Sequence, residues 1–329
     1  MNLKKSVWSV SWLILLVTIL ICAGPAAAQR LDGTISGTVK DPSGAVIPGA
    51  SVTIINDQTG ATRTMLTSDV GYYSVPNLLV GSYTVKIDVP GFAPYSRTNV
   101  QVQGAQVVEV TAELILAGNA QTIRVQDGAD LVQTQTSQLT KSFDNRMVAE
   151  LPTVAGQNTS VLNLAVYLPN TTTALGGTSG TGGSIGGLRG RQNSFSVDGV
   201  NNNDPSVTVV SQQVIPDAVQ EFSLSTNQFS AEVGSAAGGQ FNVVTKRGTN
   251  DFHGGAWLYN VNRNYRAKSN LADPANPKPR FDFNRTGGML GGPVLRNRWF
   301  VFGAFEYQTQ GREALGSTAP PAIRPPPVR

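Results

Sequence analysis

The segment 298–308 constrains the fold most, because all of its charged and amide side chains fall at even positions. Its even positions include the polar Glu306 and Gln308, whereas its odd positions are apolar or aromatic. The odd set is Trp299, Val301, Gly303, Phe305 and Tyr307. Alternation at a period of two predicts a β-strand with two different faces. At the rise of a strand, the segment from Trp299 to Tyr307 would span about 26 Å.

The preceding segment 252–262 also alternates, a second strand is predicted at 281–291, and the connections between the strands differ in length. A long polar stretch separates these two segments, whereas the connection from Gly292 to Asn297 is short. Alternating long loops and short turns are typical of transmembrane β-barrels, whose apolar band is about 25 Å tall and bordered by aromatic residues. We therefore predict that residues 251–308 form the first three or so strands of such a barrel. The residues expected to face lipid are Trp299, Val301, Phe305 and Tyr307. A soluble sheet with this face in its core is the alternative.

The number of residues after these strands limits what they can build. Only 79 residues follow Asn250, whereas a barrel of 22 strands needs roughly 220. The Pro-rich tail 309–329 cannot add ladder strands, since proline lacks the N–H donor. An open sheet edge has no hydrogen-bond partners in hydrocarbon. We therefore expect an incomplete transmembrane β-barrel, unable to transport by itself.

The N-terminus predicts export. Lys4 and Lys5 precede an apolar run that ends in Ala26-Ala27-Ala28, as in a secretory signal peptide covering residues 1–28. Cys22, the only cysteine, lies within this signal peptide. Removal of the signal peptide, with Lys4 and Lys5, lowers the formal net charge from +4 to +2. A charge of that size gives no reason to expect nucleic acid as a partner. With 35 glycines, 19 prolines and 14% charged residues, the composition favours a mainly β fold.

Residues 31–116 contain short alternating strands separated by Pro/Gly turns. The stretch from Gly37 to Ala50 follows the pattern G-x-V-x-D-x-x-G-x-x-I-P-G-A. This pattern resembles carboxypeptidase regulatory-like domains, and the resemblance implies a transthyretin-like, carbohydrate-binding-like β-sandwich. Peptidase activity is not implied, because a zinc peptidase needs several His and Glu ligands and this chain has one histidine.

Residues 147–250 carry a second set of motifs. Leu188-Arg189-Gly190 is followed by Asp198-Gly199 and then by Ile215-Pro216-Asp217-Ala218-Val219. These motifs resemble the plug domain of TonB-dependent outer-membrane receptors, which implies an α+β domain that blocks a barrel. The Asp198-Gly199 step also predicts a tight turn from its residue types alone.

Residues 117–146, between these two domains, admit two interpretations. Their loose, polar composition is typical of a linker. The resemblance to receptors also makes one short segment a candidate TonB box, which would pair with TonB by strand addition. That candidate consists of Thr122, Ile123, Arg124, Val125 and Gln126.

No pattern in the sequence predicts an enzyme, a cofactor or a metal. Asp198, Asp204 and Asp217 have the neighbours of turn formers rather than of catalytic acids. His253 has no second histidine with which to share a metal. The glycine-rich stretch 176–190 lacks the Gly-Lys-Ser/Thr step of a phosphate-binding loop.

The order of the segments, from leader through sandwich and plug to barrel strands, resembles the Oar-like group of TonB-dependent receptors. The resemblance implies outer-membrane localisation and energy-coupled uptake. Its expected partners are TonB, outer-membrane lipid and an unknown ligand, either glycan or peptide. The alternative is a secreted or periplasmic carbohydrate-binding-like protein whose sandwich domain does the binding.

Overall fold

The computed structural model describes residues 32–117, 123–125, 139–151, 160–172, 183–206, 209–227, 237–265, 267, 278 and 280–312. The predicted signal peptide, the residues Thr122 and Gln126, and most of the Pro-rich tail lie outside these residues. The described residues are mainly β, as the composition predicts, and they form three units. Among them, no helix is long and apolar enough to span a bilayer.

The first unit, called the sandwich here, consists of two packed sheets. One sheet has the order β4-β1-β7, with β8 also paired to β1, and the other has the order β3-β2-β5-β6-β9. The strands are β1 (Gly33–Lys40), β2 (Ser51–Asn56), β3 (Thr62–Leu66), β4 (Tyr72–Leu78), β5 (Gly81–Asp88), β6 (Tyr95–Val102), β7 (Val107–Glu109), β8 (Ala112–Glu113) and β9 (Ile123–Val125).

The sandwich core follows from the alternation in its strands. Val52 and Ile54 of β2 and Val85 and Ile87 of β5 are buried, whereas their neighbours along each strand are more exposed. Burial of such side chains stabilises a fold by about 1.5–3 kcal/mol each. Tyr73 is also buried, and its hydroxyl donates a hydrogen bond to the carbonyl oxygen of Val110 at 2.7 Å. The two sheets therefore share one apolar core.

The second unit, called the central domain here, contains a five-stranded sheet of order β10-β15-β16-β13-β14 and a separate ribbon of β11 and β12. Its strands are β10 (Leu139–Asp144), β11 (Thr171–Thr172), β12 (Ser184–Ile185), β13 (Ser194–Val197), β14 (Val200–Asn201), β15 (Val219–Asn227) and β16 (Gln240–Thr245). Its helices are α1 (Asn145–Glu150) and three 3-10 helices, Val161–Tyr167, Gly190–Gln192 and Pro216–Ala218.

Four phenylalanines hold the central sheet together. Phe222 stacks on Phe143 with ring centroids 5.5 Å apart, and Phe195 lies 4.9 Å from Phe241. The strand β10, which pairs with β15, falls inside the stretch that the sequence assigns to a linker. Asp144 ends this strand and caps α1, since its carboxylate accepts a hydrogen bond from the backbone N–H of Met147 at 2.7 Å.

The third unit, called the C-terminal sheet here, is an antiparallel meander of β17 (His253–Asn262), β18 (Phe281–Leu295) and β19 (Trp299–Arg312). The predicted strands are present, but the turn predicted to begin at Gly292 is wrong. Pro293 lies inside β18, where the pairing register shifts between Pro293 and Leu295. A strand tolerates proline at such an irregularity, because no ladder donor is needed there.

Candidate functional site: an ionic contact between the central domain and the C-terminal sheet

The 3-10 helix Pro216–Ala218 presents Asp217 to the C-terminal sheet. Pro216 starts this helix without the loss of a needed donor. Ala218 and Val219, which follow, are buried in the central domain. The carboxylate of Asp217 accepts hydrogen bonds from Arg285 Nη2 at 2.6 Å and from the hydroxyl of Tyr259 at 3.1 Å. Asp217 therefore joins the central domain to two neighbouring strands.

Arg285 lies at the centre of this contact and is only 7% exposed. Besides Asp217, its guanidinium faces Glu306 of β19, with Nε and Oε2 3.3 Å apart. That ion pair is close but lacks hydrogen-bond geometry, since Nε has no hydrogen-bond partner. The guanidinium carbon also lies 4.3 Å from the ring centroid of Tyr259, a cation–π distance. The buried cation is thus compensated by two carboxylates and an aromatic face.

Glu306 and Lys246 complete the charged cluster. Glu306 Oε2 accepts a hydrogen bond from the indole N–H of Trp257 at 3.0 Å. Lys246, just after β16, donates from Nζ to the backbone oxygen of Asp217 at 2.8 Å. Burial lowers the pKa of Lys246, and the nearby charge of Asp217 opposes that shift. Two cations and two carboxylates therefore meet where the central domain touches the sheet.

The strand register explains why these side chains share one face. Tyr259 lies opposite Arg285, and Trp257 lies opposite Gly287, which in turn lies opposite Glu306. Gly287 leaves room for the bond between Trp257 and Glu306, because a Cβ at this position would lie 2.6 Å from the indole ring. The central domain covers this face of the sheet, which is called the inner face here.

The opposite, outer face of the sheet is apolar and exposed. Trp299 is 70% exposed and Phe305 is 71% exposed, and Val301 and Tyr307 are exposed beside them. Leu258 of β17 and Leu290 of β18 extend the same exposed surface. The four residues that the sequence predicts to face lipid therefore lie on the face away from Glu306.

The sandwich contacts the central domain through a second buried carboxyl group. Glu221 of β15 is 4% exposed, and its Oε1 accepts a hydrogen bond from the backbone N–H of Gly104 at 3.1 Å. Burial raises the pKa of Glu221 to about 7, although the hydrogen bonds from Gly104 and Ser142 oppose this rise. Nearby, the side-chain amide of Gln106 donates to the hydroxyl of Ser142 at 3.4 Å.

A third contact links the sandwich to the turn between β18 and β19. The backbone N–H of Asn250 donates to the carbonyl oxygen of Gln58 in the sandwich at 3.1 Å. The side chain of Asn250 exchanges two hydrogen bonds of 2.8 Å with Asn297, one through the backbone N–H of Asn297 and one through its side-chain oxygen. Asn297 has a φ of 63°, a turn conformation that asparagine tolerates well.

The residues of the predicted plug motifs shape turns rather than a reactive site. Asp198 and Gly199 have φ values of 49° and 81°, so the predicted tight turn is present between β13 and β14. The carboxylate of Asp198 also accepts hydrogen bonds from the N–H and hydroxyl of Thr245, at 3.0 and 2.6 Å. In the other motif, Leu188 donates to Ile185 O at 3.0 Å, Arg189 donates to Gln192 Oε1 at 3.0 Å, and Gly190 is buried.

Three residues of the candidate TonB box are described, and they form β9. They pair in parallel with β6, with Ile123 opposite Tyr95, Arg124 opposite Ser96 and Val125 opposite Arg97. The structure pairs this strand with the sandwich sheet, and its assignment to a TonB box stays a prediction.

The charged cluster contains residues that the sequence analysis did not single out. Arg285 and Glu306 of this cluster, and Glu221 at the separate contact with the sandwich, are not among the site residues predicted from the sequence, and Asp217 is predicted only as a turn former. The sequence does contain one indication of this cluster. Arg285 is the only basic residue of a strand predicted to cross a membrane, and such a residue needs an acidic partner. In the part of the chain that the structure describes, no group of three His, Cys, Asp or Glu residues could hold a metal ion.

Two protein-family models match separate parts of the chain. Residues 34–115 match the carboxypeptidase regulatory-like domain, and residues 244–324 match an outer membrane beta barrel domain. The chain is 25% identical to the TonB-dependent transporter Oar of Myxococcus xanthus over 295 residues, which is 85% of this chain and 27% of Oar. The chain thus spans about a quarter of the relative that it matches.

Two solved structures share parts of the fold. The siderophore receptor PirA from Acinetobacter baumannii aligns with 51% of this chain and 24% of its own, at 20% identity and a TM-score of 0.38. A streptococcal ancillary pilin aligns with 26% of this chain and 33% of its own, at 18% identity and a TM-score of 0.23. At these TM-scores, neither likeness bears on function. The two domain matches and the similarity to Oar show that the chain resembles the TonB-dependent outer-membrane receptors.

Proposed function

We propose that this chain serves energy-coupled ligand uptake, with the central domain as the plug of a TonB-dependent receptor. The observation that carries the proposal is the two-faced C-terminal sheet. Its inner face binds Asp217 of the central domain through Arg285, and its outer face exposes Trp299 and Phe305. A wall with protein on one side and an apolar band on the other is the arrangement of a plugged barrel.

The outer face fits outer-membrane lipid. On the outer face of β19, Trp299 and Tyr307 border the exposed apolar stretch that contains Val301 and Phe305. Aromatic residues prefer the borders of the hydrocarbon layer, where one end of the side chain is wet. In this proposal, Trp299, Val301, Phe305 and Tyr307 contact lipid.

Transport itself is proposed for a complete barrel. In the described residues, β17 and β19 are the edges of a three-stranded sheet. Unpaired backbone groups at those edges would be costly in hydrocarbon, so further strands are needed to close the wall. The charged contact at Asp217 and Arg285 would then hold the plug inside the lumen until TonB acts on it. No chemistry is catalysed in this proposal, and the ligand, a glycan or a peptide, is moved unchanged.

The receptor should be tested in its own membrane with the TonB C-terminal domain as the probe. We expect the protein in the outer-membrane fraction, and we expect detergent extracts of that fraction to bind immobilised TonB domain. Deletion of Thr122 to Gln126 should abolish the binding, because the strand that TonB pairs with is gone. Binding that survives the deletion unchanged would contradict the TonB-box assignment.

A matched pair of substitutions controls for damage to the fold. Arg124→Pro removes a backbone donor from β9 and should weaken TonB binding by about tenfold or more. Arg124→Ala keeps that donor and should bind as the wild type does. Recovery of the wild-type receptor only in the soluble periplasmic fraction would contradict the outer-membrane proposal as a whole.

A further inference from the structure

The strand β9 lies at the end of a sheet. It pairs with β6 on one side, and within the described residues no strand pairs with its other side. An edge strand presents a row of backbone N–H and C=O groups that can pair with another chain. Residues 123–125 of the candidate TonB box are therefore already extended, and among the described residues they have one edge available for a strand from a partner.

Docking against β6 changes what a partner must do. A segment that is flexible before binding loses backbone freedom when it becomes a strand, and this loss weakens the affinity. Residues 123–125 have already taken up the strand conformation against residues 95–97. A partner that adds to the outer edge of β9 therefore meets a strand that is ordered in advance.

The sandwich that carries β9 is itself attached to the central domain. Strand β6 ends at Val102, and Gly104 follows two residues later. The backbone N–H of Gly104 donates to the buried carboxyl group of Glu221. The side chain of Gln106 donates to Ser142 in the same region. The edge strand is thus displayed on a domain that is hydrogen-bonded to the proposed plug.

We propose that the sandwich is a presentation platform for the candidate TonB box, and that TonB adds its own edge strand to the outer edge of β9 while β9 stays paired with β6. This inference rests on the proposed function, since it specifies how the segment is offered to TonB. The opposite arrangement, in which TonB first peels β9 away from β6, is an outcome that the test separates.

The first experiment asks whether β9 is docked before TonB arrives. Hydrogen exchange is measured on the detergent-solubilised receptor without TonB. We expect those backbone amides of residues 123–125 that point toward β6 to exchange at least about tenfold more slowly than in a free peptide of the same sequence, since paired amides are protected. Exchange at the rate of the free peptide would overturn the platform.

The second experiment locks β9 onto β6 with a disulfide. Ser96 and Arg124 lie opposite each other, and neighbouring strands are about 4.8 Å apart, within the Cα separation that disulfides accept. The variant Ser96→Cys/Arg124→Cys is compared in its oxidised and reduced forms. The only native cysteine, Cys22, lies in the predicted leader. The probe is again the purified TonB C-terminal domain.

Presentation and peeling predict different effects of the lock. If β9 stays docked, the oxidised form should bind TonB as tightly as the reduced form or up to about tenfold more tightly, because the strand is held ready. Affinity at least tenfold weaker in the oxidised form would show that β9 must leave β6, and would overturn the proposal.

A second lock and the deletion keep the outcomes distinct. The pair Arg97→Cys/Val125→Cys, also opposite each other, replaces the first pair if that one loses TonB binding in its reduced form. If the TonB-box assignment in the proposed function fails, the variant that lacks Thr122 to Gln126 binds the TonB domain as tightly as the wild type does. If only the platform fails, the deletion abolishes binding and the oxidised lock does too.

Discussion

The central domain uses two acidic side chains of neighbouring elements, Asp217 and Glu221, in opposite ways. Asp217 faces the C-terminal sheet and meets the cation Arg285 at 2.6 Å. Glu221 faces the sandwich, where a backbone N–H and a hydroxyl surround it, and no basic side chain of the described residues pairs with it. The first contact depends on a fixed pair of opposite charges. The second depends on the protonation of one buried carboxyl group.

Loss of the Arg285 cation should weaken the contact between Asp217 and the C-terminal sheet, and this is the largest effect that we expect. Arg285→Met leaves Asp217 and Glu306 near each other without their shared partner, and uncompensated buried charge costs about 3 kcal/mol or more of unfolding free energy. The measurement is denaturant unfolding of the protein in detergent micelles, followed by tryptophan fluorescence, to which Trp257, hydrogen-bonded to Glu306, contributes together with Trp299.

The matched control for that change is Arg280→Met. Arg280 also pairs with an acid, Asp282, at 2.7 Å, but its side chain is 66% exposed. An exposed pair contributes little to stability, because water and salt screen it. Equal losses in the two variants would contradict the assignment of a special role to Arg285.

The second contact should be sensitive to pH. The pKa of Glu221 is raised from 4.5 to about 7, so its protonated form stabilises the folded state. That stabilisation is complete below pH 4.5 and is lost as pH rises through 7. The difference corresponds to about 3 kcal/mol in the unfolding free energy. Hydrogen exchange of the β15 amides between pH 4.5 and 8, corrected for intrinsic exchange rates, measures this change in unfolding free energy.

Two variants isolate the contribution of Glu221 from other titrations. Glu221→Gln cannot ionise and should flatten the pH dependence over this interval, while its amide oxygen can still accept from Gly104. Glu150→Gln changes a glutamate whose side chain is 64% exposed and should leave the wild-type profile unchanged. The same slope in wild type and Glu221→Gln would refute the prediction.

A smaller effect is expected from Gly287. Gly287→Ala puts a methyl group 2.5 Å from the backbone oxygen of Phe305 and 2.6 Å from the ring of Trp257. It should displace the indole from Glu306 and strain the pairing of β18 with β19, at a cost of about 1–3 kcal/mol. Gly303→Ala is the control, since nothing lies within 4 Å of its new Cβ. Unfolding in micelles should separate the two, and similar values would show that Trp257 moves freely.

Local patterns in the sequence predicted the parts of the fold that depend on near neighbours. The alternation in 298–308 predicted β19 and its two faces, and Asp198-Gly199 predicted a turn with positive φ values. Residue type and spacing determine both features over a few positions. Pro293 misled the prediction because proline usually ends a strand, whereas here a register shift accommodates it.

The contacts between domains could not be predicted from local sequence patterns. Asp217 and Arg285 are 68 positions apart, and Gly104 and Glu221 are 117 positions apart. No short pattern records such pairs. Glu221 is further hidden because β15 is buried on both faces, so that Phe222, Ser223 and Leu224 are buried as well. A strand without a polar face gives no signal of where a second domain will dock.

The contact through Asn250 has a mechanical consequence. The sandwich touches the central domain at Glu221, the central domain touches the sheet at Asp217, and Gln58 of the sandwich holds Asn250, which is bonded to the turn at Asn297. The central domain is thus held at two places, by the sandwich at Glu221 and by the C-terminal sheet at Asp217, while the sandwich and the sheet are linked to each other through Asn250. Full withdrawal of the central domain must therefore break both of its own contacts, and the third contact can stay intact.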